Sequence, residues 1–300
     1  MPRLIIFKII FAFKMKILVL GSSGFIGKHL TSFLEDKGYE IYKGVRSECN
    51  TYPGKIHKLS LTESVVSENF SHYDAIIHLA TIYPTKDRDK KGLFSVNTGS
   101  VAAIIDNLIE DLHKRHTKLI YFSAMSMFRG YDEAFINSSS RPVPKTDYDA
   151  SKAASEIMVK RYKNGINIRI PFVLEKGCSR SWINNVIEKA DRDEIIQICN
   201  PNHLYNHLVD FRTIESAVIK ALDNSFNGGP VICLGSKNPI TILSLVRKLI
   251  DKKQSNSIVN IVSAGDLGRT ENTPIIDVNE AASLGINISK TEDILDNFFK

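Results

Sequence analysis

The 300-residue chain is long enough for a sizeable core, and its 43% hydrophobic and 24% charged residues are ordinary for a globular protein. Its net charge of +6 arises from lysines and arginines scattered among acidic residues. This scatter argues against nucleic acid as a partner, because nucleic-acid-binding proteins concentrate basic residues on one face. The four cysteines lie far apart and form no CxxC pair, so we expect neither a metal site nor a secreted disulfide scaffold. This cysteine pattern is typical of the reducing cytoplasm, where we place the protein.

The N-terminal segment is apolar but short. Residues 4–13 are interrupted only by Lys8, and no small-residue cleavage site of a signal peptide follows them. The run is also shorter than the roughly 20 residues that a membrane-spanning helix needs. Because the first strand pattern begins at Lys16, we interpret residues 1–14 as an extension outside the fold, with a membrane-surface or packing role as the alternative. No other stretch is predicted to span a membrane.

From residue 16 onward, short β-rich runs alternate with longer amphipathic runs, a pattern typical of βαβ units and a parallel sheet. Strands are predicted at residues 16–20, 40–45, 75–79, 119–122, 167–173 and 231–234. Helices are predicted at residues 29–37, 96–112, 148–161, 182–190, 213–222 and 239–250. The rhythm weakens after residue 172. We therefore predict an α/β protein with a doubly wound parallel sheet in residues 15–172, interleaved with a smaller, irregular part in residues 173–300.

Three glycines lie directly between the first strand and the first helix. Gly21 permits a tight turn, Gly24 lets the backbone approach a pyrophosphate, and Gly27 lets helix and sheet pack closely. The N-terminus of the helix then offers free N–H groups and a positive dipole end to the phosphates. This context predicts a dinucleotide site in a Rossmann domain, whereas a purely structural turn is the alternative.

The end of the second strand indicates which dinucleotide binds. An acidic residue there would bond the ribose 2′-hydroxyl of NAD, whereas an arginine suits the 2′-phosphate of NADP. This strand ends Gly44-Val45-Arg46 without an acid. We therefore predict NADP as the cofactor. NAD is the alternative, with Arg46 as a solvated strand end.

Tyr148 and Lys152 lie four residues apart, on one face of a predicted helix. A nearby ammonium favours tyrosinate, so Lys152 is expected to lower the pKa of Tyr148 towards a value that is useful for proton transfer. The same lysine can hold the ribose of the nicotinamide. Alone, such a spacing is common by chance.

Together, the glycine turn, AIIHLA, LIYFSA and YDASK occur in the order and spacing of the extended short-chain dehydrogenase/reductase family. The chain resembles the NAD(P)-dependent epimerase/dehydratase branch of that family, which acts on nucleotide sugars. The resemblance covers residues 16 to about 175 well and the remainder loosely. It implies that Tyr148 is the acid/base and that Lys152 tunes it and holds the ribose. It also implies a cofactor site formed by Gly21, Ser23, Gly24, Phe25, Ile26, Gly27, Arg46, Ala80, Thr81, Asn97 and Pro171, together with Tyr148 and Lys152.

The chain also departs from the family pattern. The serine or threonine that usually bonds the reacting oxygen is Ala124, so Ser123, or Ser126 as a substitute, is the candidate for that role. An aspartate near the adenine is replaced by Ser60, and an asparagine after the sixth strand by Phe172. In residues 173–300, which the resemblance makes the substrate-binding part, Arg269 is a candidate partner of a substrate diphosphate, with a solvent-exposed loop arginine as the alternative.

Three functions remain open from the sequence. The first is reduction of a keto-sugar carried on a nucleotide, with Tyr148 protonating the new alkoxide. The second is an epimerase or dehydratase that retains NAD. The third is a non-catalytic sensor that binds NAD(P), against which the presence of both Tyr148 and Lys152 argues. A homodimer formed through the helices around residues 97–112 and 148–162 is a family expectation.

Overall fold

A computed structural model describes residues 14–45, 54–62, 69–83, 90–110, 117–178, 181–223, 229–267 and 274–300. The strands are β1 (Lys16–Leu20), β2 (Glu40–Val45), β3 (Lys55–Lys58), β4 (Ala75–His78), β5 (Lys118–Ala124), β6 (Phe135–Ile136), β7 (Gly165–Ile170), β8 (Phe172–Val173), β9 (Ile196–Ile198), β10 (Leu204–Tyr205), β11 (Leu208–Val209), β12 (Val231–Cys233), β13 (Ile240–Thr241), β14 (Val259–Ile261) and β15 (Ile275–Ile276). The α-helices are α1 (Phe25–Asp36), α2 (Lys90–Phe94), α3 (Ser100–Glu110), α4 (Asp147–Arg161), α5 (Trp182–Ala190), α6 (Phe211–Leu222), α7 (Ile242–Lys253), α8 (Asn279–Ser283) and α9 (Thr291–Phe298). A π-helical turn, Ser95–Gly99, joins α2 to α3.

Seven strands form one parallel sheet in the order β12-β7-β5-β4-β1-β2-β3. The strand order reverses between β1 and β4, and in doubly wound sheets this switch point is where ligands bind. The fold is therefore the predicted Rossmann type. We call the edge at which β1, β4, β5 and β7 end the carboxyl edge.

The side chains of β1 explain how the sheet is covered. Ile17 and Val19 point to the face covered by α1 and α6, whereas Leu18 and Leu20 point to the face covered by α3 and α4. Successive side chains of a strand lie on opposite faces, so an unbroken apolar run is what a strand buried on both faces needs. The run KILVL thus places β1 at the centre of the fold.

Several elements differ from the prediction, and three of these differences have a local reason. Helix α1 begins at Phe25, directly after the glycine turn, because Gly24 is extended and serves as its N-cap. The single strand predicted over 167–173 is divided into β7 and β8 at Pro171, which has no N–H to donate to a ladder. Strand β3 was missed, because its residues KIHK are mostly exposed at the edge of the sheet and lack an apolar pattern.

The remaining elements pack beside the sheet around a core of their own. Ile183 of α5, Leu245 and Leu249 of α7, and Leu295 of α9 are buried together there. Short strand pairs connect this region, namely β8 with β11, β10 with β13, β9 with β14 and β6 with β15. Strand β12 also follows residue 172 in the chain, yet it pairs with β7 in the large sheet.

One helical stretch among the described residues, Gly92–Ile109, is long and apolar enough to pass for a membrane span, with a mean hydropathy of 1.2. A helix was predicted over residues 96–112, but the prediction that no stretch beyond the N-terminal segment is long and apolar enough to span a membrane was wrong. Part of its apolar surface belongs to the core of the fold, where Val101 and Ile104 are fully buried between the sheet and its neighbours. Composition alone is therefore weak evidence for a membrane here, since a core helix of a globular fold has the same composition. The N-terminal extension predicted at residues 1–14 lies outside the described residues, apart from Lys14.

Candidate active site

The glycine turn, residues 21–27, follows β1 at the carboxyl edge. The fold itself requires two of its three glycines. Gly21 has a φ of 84°, and a Cβ added there would lie 2.6 Å from the backbone nitrogen of Ala80, in the loop after β4. A Cβ on Gly27 would lie 2.1 Å from the carbonyl oxygen of Gly21. At Gly24 the same atom meets only that carbonyl oxygen, at 3.2 Å. Packing therefore accounts for Gly21 and Gly27, whereas a Cβ at position 24 requires only a small shift of one neighbouring atom.

The first turn of α1 fits a phosphate group. Gly24 caps this helix without a side-chain hydrogen bond, and its first turn carries no acidic residue. No carboxylate of the first turn therefore competes for the positive end of the helix, where the backbone N–H groups of Phe25, Ile26 and Gly27 lie. Ser23 is exposed in the same turn, and Ser22 donates to the carbonyl oxygen of Gly44 at 3.2 Å, which ties the turn to β2.

These contacts predict opposite results for two alanine substitutions. Gly27→Ala forces a methyl group into the backbone of the turn, so we expect it to reduce the free energy of unfolding by at least the roughly 1–3 kcal/mol typical of overpacking. Gly24→Ala should leave stability within about 1 kcal/mol, since surface changes cost little. It should nevertheless weaken dinucleotide binding about tenfold or more, because its methyl group obstructs the phosphate. Urea denaturation and titration with NADPH and NADH measure the two effects. Unchanged affinity in Gly24→Ala would exclude a pyrophosphate at this turn.

Asn97 fixes the loop that follows β4. Its Oδ1 accepts from the backbone nitrogen of Ile82 at 2.7 Å and from the hydroxyl of Thr81 at 3.3 Å. Its Nδ2 donates to the carbonyl oxygen of Ile82 at 3.0 Å and to the hydroxyl of Ser151 at 3.1 Å. The side chain is therefore fully used within the protein. It holds Thr81 and the neighbouring Ala80 against the N-terminal part of α4.

Tyr148 lies in the first turn of α4 and is 8% exposed. Its ring is stacked on that of Tyr83, with 4.6 Å between the centroids and 21° between the planes. Burial, and after it the neighbouring Tyr83 hydroxyl, raise the pKa of Tyr148 above its ordinary value. The expectation that a nearby ammonium lowers this pKa was therefore wrong for this structure, since desolvation of the phenol dominates. The raised pKa makes this phenol a weaker acid than an ordinary tyrosine.

Lys152 is buried one turn further along α4. Its Nζ donates to the carbonyl oxygen of Phe122 at 2.7 Å and lies 4.5 Å from the centre of the Tyr121 ring. Burial lowers the pKa of Lys152 to about 7. The structure thus directs the Nζ of Lys152 at the end of β5.

The two serine candidates are placed differently. Ser123 is buried beneath α4, and its hydroxyl donates to Glu156 Oε2 at 2.9 Å. Ser126 is half-buried in the 3-10 turn after β5, and its hydroxyl donates to Asp149 Oδ1 at 2.6 Å. The structure does not bring the Ser123 hydroxyl to Tyr148, because the side chain of position 123 faces the core. Ala124, at the position of the usual hydroxyl, is half-buried at the carboxyl edge.

A buried ion pair that was not predicted from the sequence lies below the site. Arg169 on β7 contacts both carboxylate oxygens of Glu156, with Nη2 at 2.5 Å from Oε1 and Nε at 3.0 Å from Oε2. The same guanidinium donates to the carbonyl oxygens of Asn137 and Ser140. An arginine within the apolar strand GINIRI was the available signal, since a buried charge needs a partner. Glu156, four residues after Lys152 on α4, is the partner of that charge.

Other predicted residues lie at or outside the borders of the site. Pro171 separates β7 from β8 at the carboxyl edge, and Phe172 begins β8. The hydroxyl of Ser60 lies 3.1 Å from that of Thr62, after β3. Arg46 and Arg269 lie outside the described residues.

A parallel sheet with a glycine turn after β1 and a Tyr–Lys helix beside β5 defines a protein of the Rossmann class, built as the extended short-chain dehydrogenases/reductases are. More particularly, the chain belongs to the NAD dependent epimerase/dehydratase family, whose sequence model matches residues 17–174. The resemblance drawn from the motifs is thereby confirmed.

Comparison with individual proteins agrees with this assignment. GDP-6-deoxy-D-talose 4-dehydrogenase from Aggregatibacter actinomycetemcomitans is 27% identical over 161 residues, which is 53% of this chain and 52% of that protein. The chain spans about half the length of the curated relatives that it matches.

Two solved structures share the fold over nearly the whole chain. The Bordetella bronchiseptica enzyme WbmG in complex with NAD has a TM-score of 0.77 at 16% identity, covering 97% of this chain and 94% of that one. The dTDP-4-dehydrorhamnose reductase of Bacillus anthracis in complex with NADP has a TM-score of 0.73 at 19% identity, covering 95% and 99%. At these identities the likeness concerns the fold, and such folds bind NAD in one case and NADP in the other.

Proposed function

We propose that this protein is an NAD(P)-dependent enzyme that reduces a keto group of a nucleotide-activated sugar. The observation that carries the proposal is the placement of Tyr148, a buried phenol in the first turn of α4 at the carboxyl edge of a Rossmann sheet, one turn before the buried Lys152. A keto group that gains a hydride becomes an alkoxide and needs a proton, which a protonated phenol supplies.

Residues of the carboxyl edge would hold the cofactor. The N–H groups of the first turn of α1 suit its pyrophosphate, and the turn around Ser23 and Gly24 leaves room for it. Thr81, Ala80 and Pro171 border the adjoining space. Arg46 would contact a 2′-phosphate, so NADP is the proposed cofactor and NAD the alternative. When bound, the nicotinamide ring supplies or takes up a hydride.

The remaining chemistry belongs to side chains of this chain. Tyr148 gives its proton to the new alkoxide, and stacking on Tyr83 fixes the plane of its ring. Lys152 is anchored through the carbonyl oxygen of Phe122 and would hold a ribose hydroxyl of the cofactor. Residues 173–300 would bind the nucleotide sugar, with Arg269 as partner of its diphosphate. The dehydrogenase relative, named for a GDP-linked deoxysugar, supports this substrate class.

An epimerase or dehydratase that retains NAD is the second candidate. It is favoured by the family description and by the NAD-bound enzyme of the same fold. In such an enzyme Tyr148 would take a proton as the phenolate in one half-reaction and return it as the phenol in the other.

Identification of the nucleotide in freshly purified protein tests these candidates. We expect an empty or NADP(H)-containing site that binds NADPH more tightly than NADH, and oxidation of NADPH at 340 nm with a panel of 4-keto nucleotide sugars. Tightly held NAD⁺ with interconversion of nucleotide sugars would instead establish the second candidate. Binding of NADPH without turnover of any sugar in the panel would indicate a cofactor-binding sensor.

We further propose that the enzyme is a cytoplasmic homodimer that associates through α3 and α4. Each helix presents one large apolar side chain outward, Ile109 at 61% and Ile157 at 56% exposure. Burial of such residues against a second copy is the usual source of stability at a subunit interface.

A further inference from the structure

A second tyrosine lies against the candidate acid/base. Tyr83, in the loop after β4, stacks on the ring of Tyr148, with 4.6 Å between the ring centroids and 21° between the planes. Tyr148 is 8% exposed, whereas Tyr83 is 60% exposed. Tyr83 therefore lies on the side of Tyr148 that faces solvent, which is the side from which a substrate can approach.

The stacked rings also bring their hydroxyl groups together. After burial, the electrostatic effect and the side-chain hydrogen bonding of Tyr83 raise the pKa of Tyr148, so the two hydroxyl groups lie at the same end of the stacked pair. Two donors that each lie about 2.8 Å from one shared oxygen, with an angle of about 110° between them, are about 4.5 Å apart. The ring separation of 4.6 Å therefore suits two hydroxyl groups that donate to a single acceptor.

The other hydroxyl groups considered for this site are engaged within the protein. Ser123 and Ser126 each donate to a buried carboxylate, at 2.9 Å and 2.6 Å. Thr81 donates to a buried amide oxygen at 3.3 Å. The hydroxyl of Tyr83 is different, because within the part of the chain that the structure describes it is committed to no carboxylate, amide or carbonyl group. Its proton is therefore available to a substrate.

We propose that Tyr83 is a second catalytic hydroxyl, which donates a hydrogen bond to the keto oxygen of the substrate in place of the hydroxyl absent at Ala124. As the keto carbon gains a hydride, its oxygen takes the proton of Tyr148. Tyr83 keeps its own proton and stabilises the negative charge that develops on that oxygen. This inference rests on the proposed function and deepens it, because it names the group that completes the donor pair.

Two other roles of Tyr83 make different predictions for Tyr83→Phe, which removes the hydroxyl and keeps the ring. If the ring only packs on Tyr148, this variant retains the activity of the wild type. If the hydroxyl only tunes the acidity of Tyr148, its removal moves the pH dependence of kcat and leaves the maximal kcat unchanged. A donor to the keto oxygen instead contributes to kcat at every pH.

The experiment measures kcat, KM and the pH profile of NADPH oxidation with a 4-keto nucleotide sugar from the panel above. The variants are Tyr83→Phe, Ala124→Ser and the two combined. Tyr39→Phe is the matched control, because it deletes the hydroxyl of a half-buried tyrosine that directly precedes β2, at the opposite edge of the sheet. Thermal unfolding and titration with NADPH are recorded for every variant.

We expect Tyr83→Phe to lower kcat about 10²-fold across the pH range, the lower end of the usual effect of removing one oxyanion donor, since Tyr83 is partly solvated. Its melting temperature and affinity for NADPH should match those of the wild type and of Tyr39→Phe. Adding Ala124→Ser should restore part of the lost kcat, because the serine returns a donor to the keto oxygen.

Unchanged kcat in Tyr83→Phe, or a change confined to its pH dependence, overturns the inference. A fall in kcat that Ala124→Ser does not relieve also overturns it, since Tyr83 would then not replace that hydroxyl. If Tyr148→Phe loses activity while Tyr83→Phe does not, the inference fails and the proposed function stands. If the wild type reduces no sugar in the panel, both fail together.

Discussion

Replacement of Tyr148 by phenylalanine is expected to lower kcat by about 10²–10⁴-fold, the usual contribution of general acid–base catalysis. The ring and its stacking on Tyr83 are preserved, so only the proton donor is removed. Affinity for NADPH should remain nearly intact, since the glycine turn lies elsewhere at the carboxyl edge. Steady-state kinetics on an identified substrate and fluorescence titration with NADPH separate the two effects.

Tyr42→Phe provides the control for this substitution. It deletes the same hydroxyl group from a tyrosine on β2 whose partner is Glu40, at 2.7 Å, and it should leave kcat unchanged. Full activity of Tyr148→Phe would show that the acid/base assignment is wrong and that the fold carries different chemistry.

The largest expected loss of stability follows from removing one partner of the buried ion pair. Arg169→Met leaves the carboxylate of Glu156 without its counter-charge in a site where both side chains are almost fully buried. Breaking such a pair typically lowers the free energy of unfolding by about 3–5 kcal/mol, because an uncompensated charge stays desolvated. The carbonyl oxygens of Asn137 and Ser140 also lose their donors. Urea denaturation followed by circular dichroism measures the loss.

A surface ion pair of the same chain serves as the comparison. Lys248 contacts Glu292 at 2.9 Å, with side chains 44% and 55% exposed, so Lys248→Met should cost only about 0–1 kcal/mol. In the double variant Glu156→Leu with Arg169→Met, part of the lost stability should return, since no unpaired charge remains. A cost below about 1 kcal/mol for Arg169→Met alone would contradict the assignment of this pair as a buried one.

The sheet and its glycine turn could be predicted from the sequence because both depend on local patterns. An apolar run such as KILVL is typical of a strand that is buried on both faces. A glycine such as Gly21 is favoured where the backbone takes a positive φ. Strand β3 escaped prediction because an edge strand exposes most of its side chains. Its place follows from pairing with β2, which is a tertiary interaction.

The sequence offers candidate site residues by identity, whereas their directions depend on tertiary contacts. Tyr148 and Lys152 do share a helix face, yet the partner of the lysine is a carbonyl oxygen on β5, a contact between distant segments. The alternation of side chains along β5 decides which serine is available. Ser123 lies on the face covered by α4, where its hydroxyl donates a hydrogen bond to Glu156. Ser126 lies beyond the end of the strand. Desolvation of Tyr148 depends on Tyr83, which no spacing rule connects to it.

The place of β12 in the sheet has a consequence for synthesis of the chain. Strand β12 pairs with β7 through Val231 opposite Asn167 and Ile232 opposite Ile168, although residues 171–230 separate the two strands. On the ribosome, β7 therefore remains an open edge until residue 233 has emerged, and unpaired strand edges invite association with other chains. A protein that ended after residue 172 would keep that edge permanently. The later part of the chain thus protects the earlier part during folding, whatever else it binds.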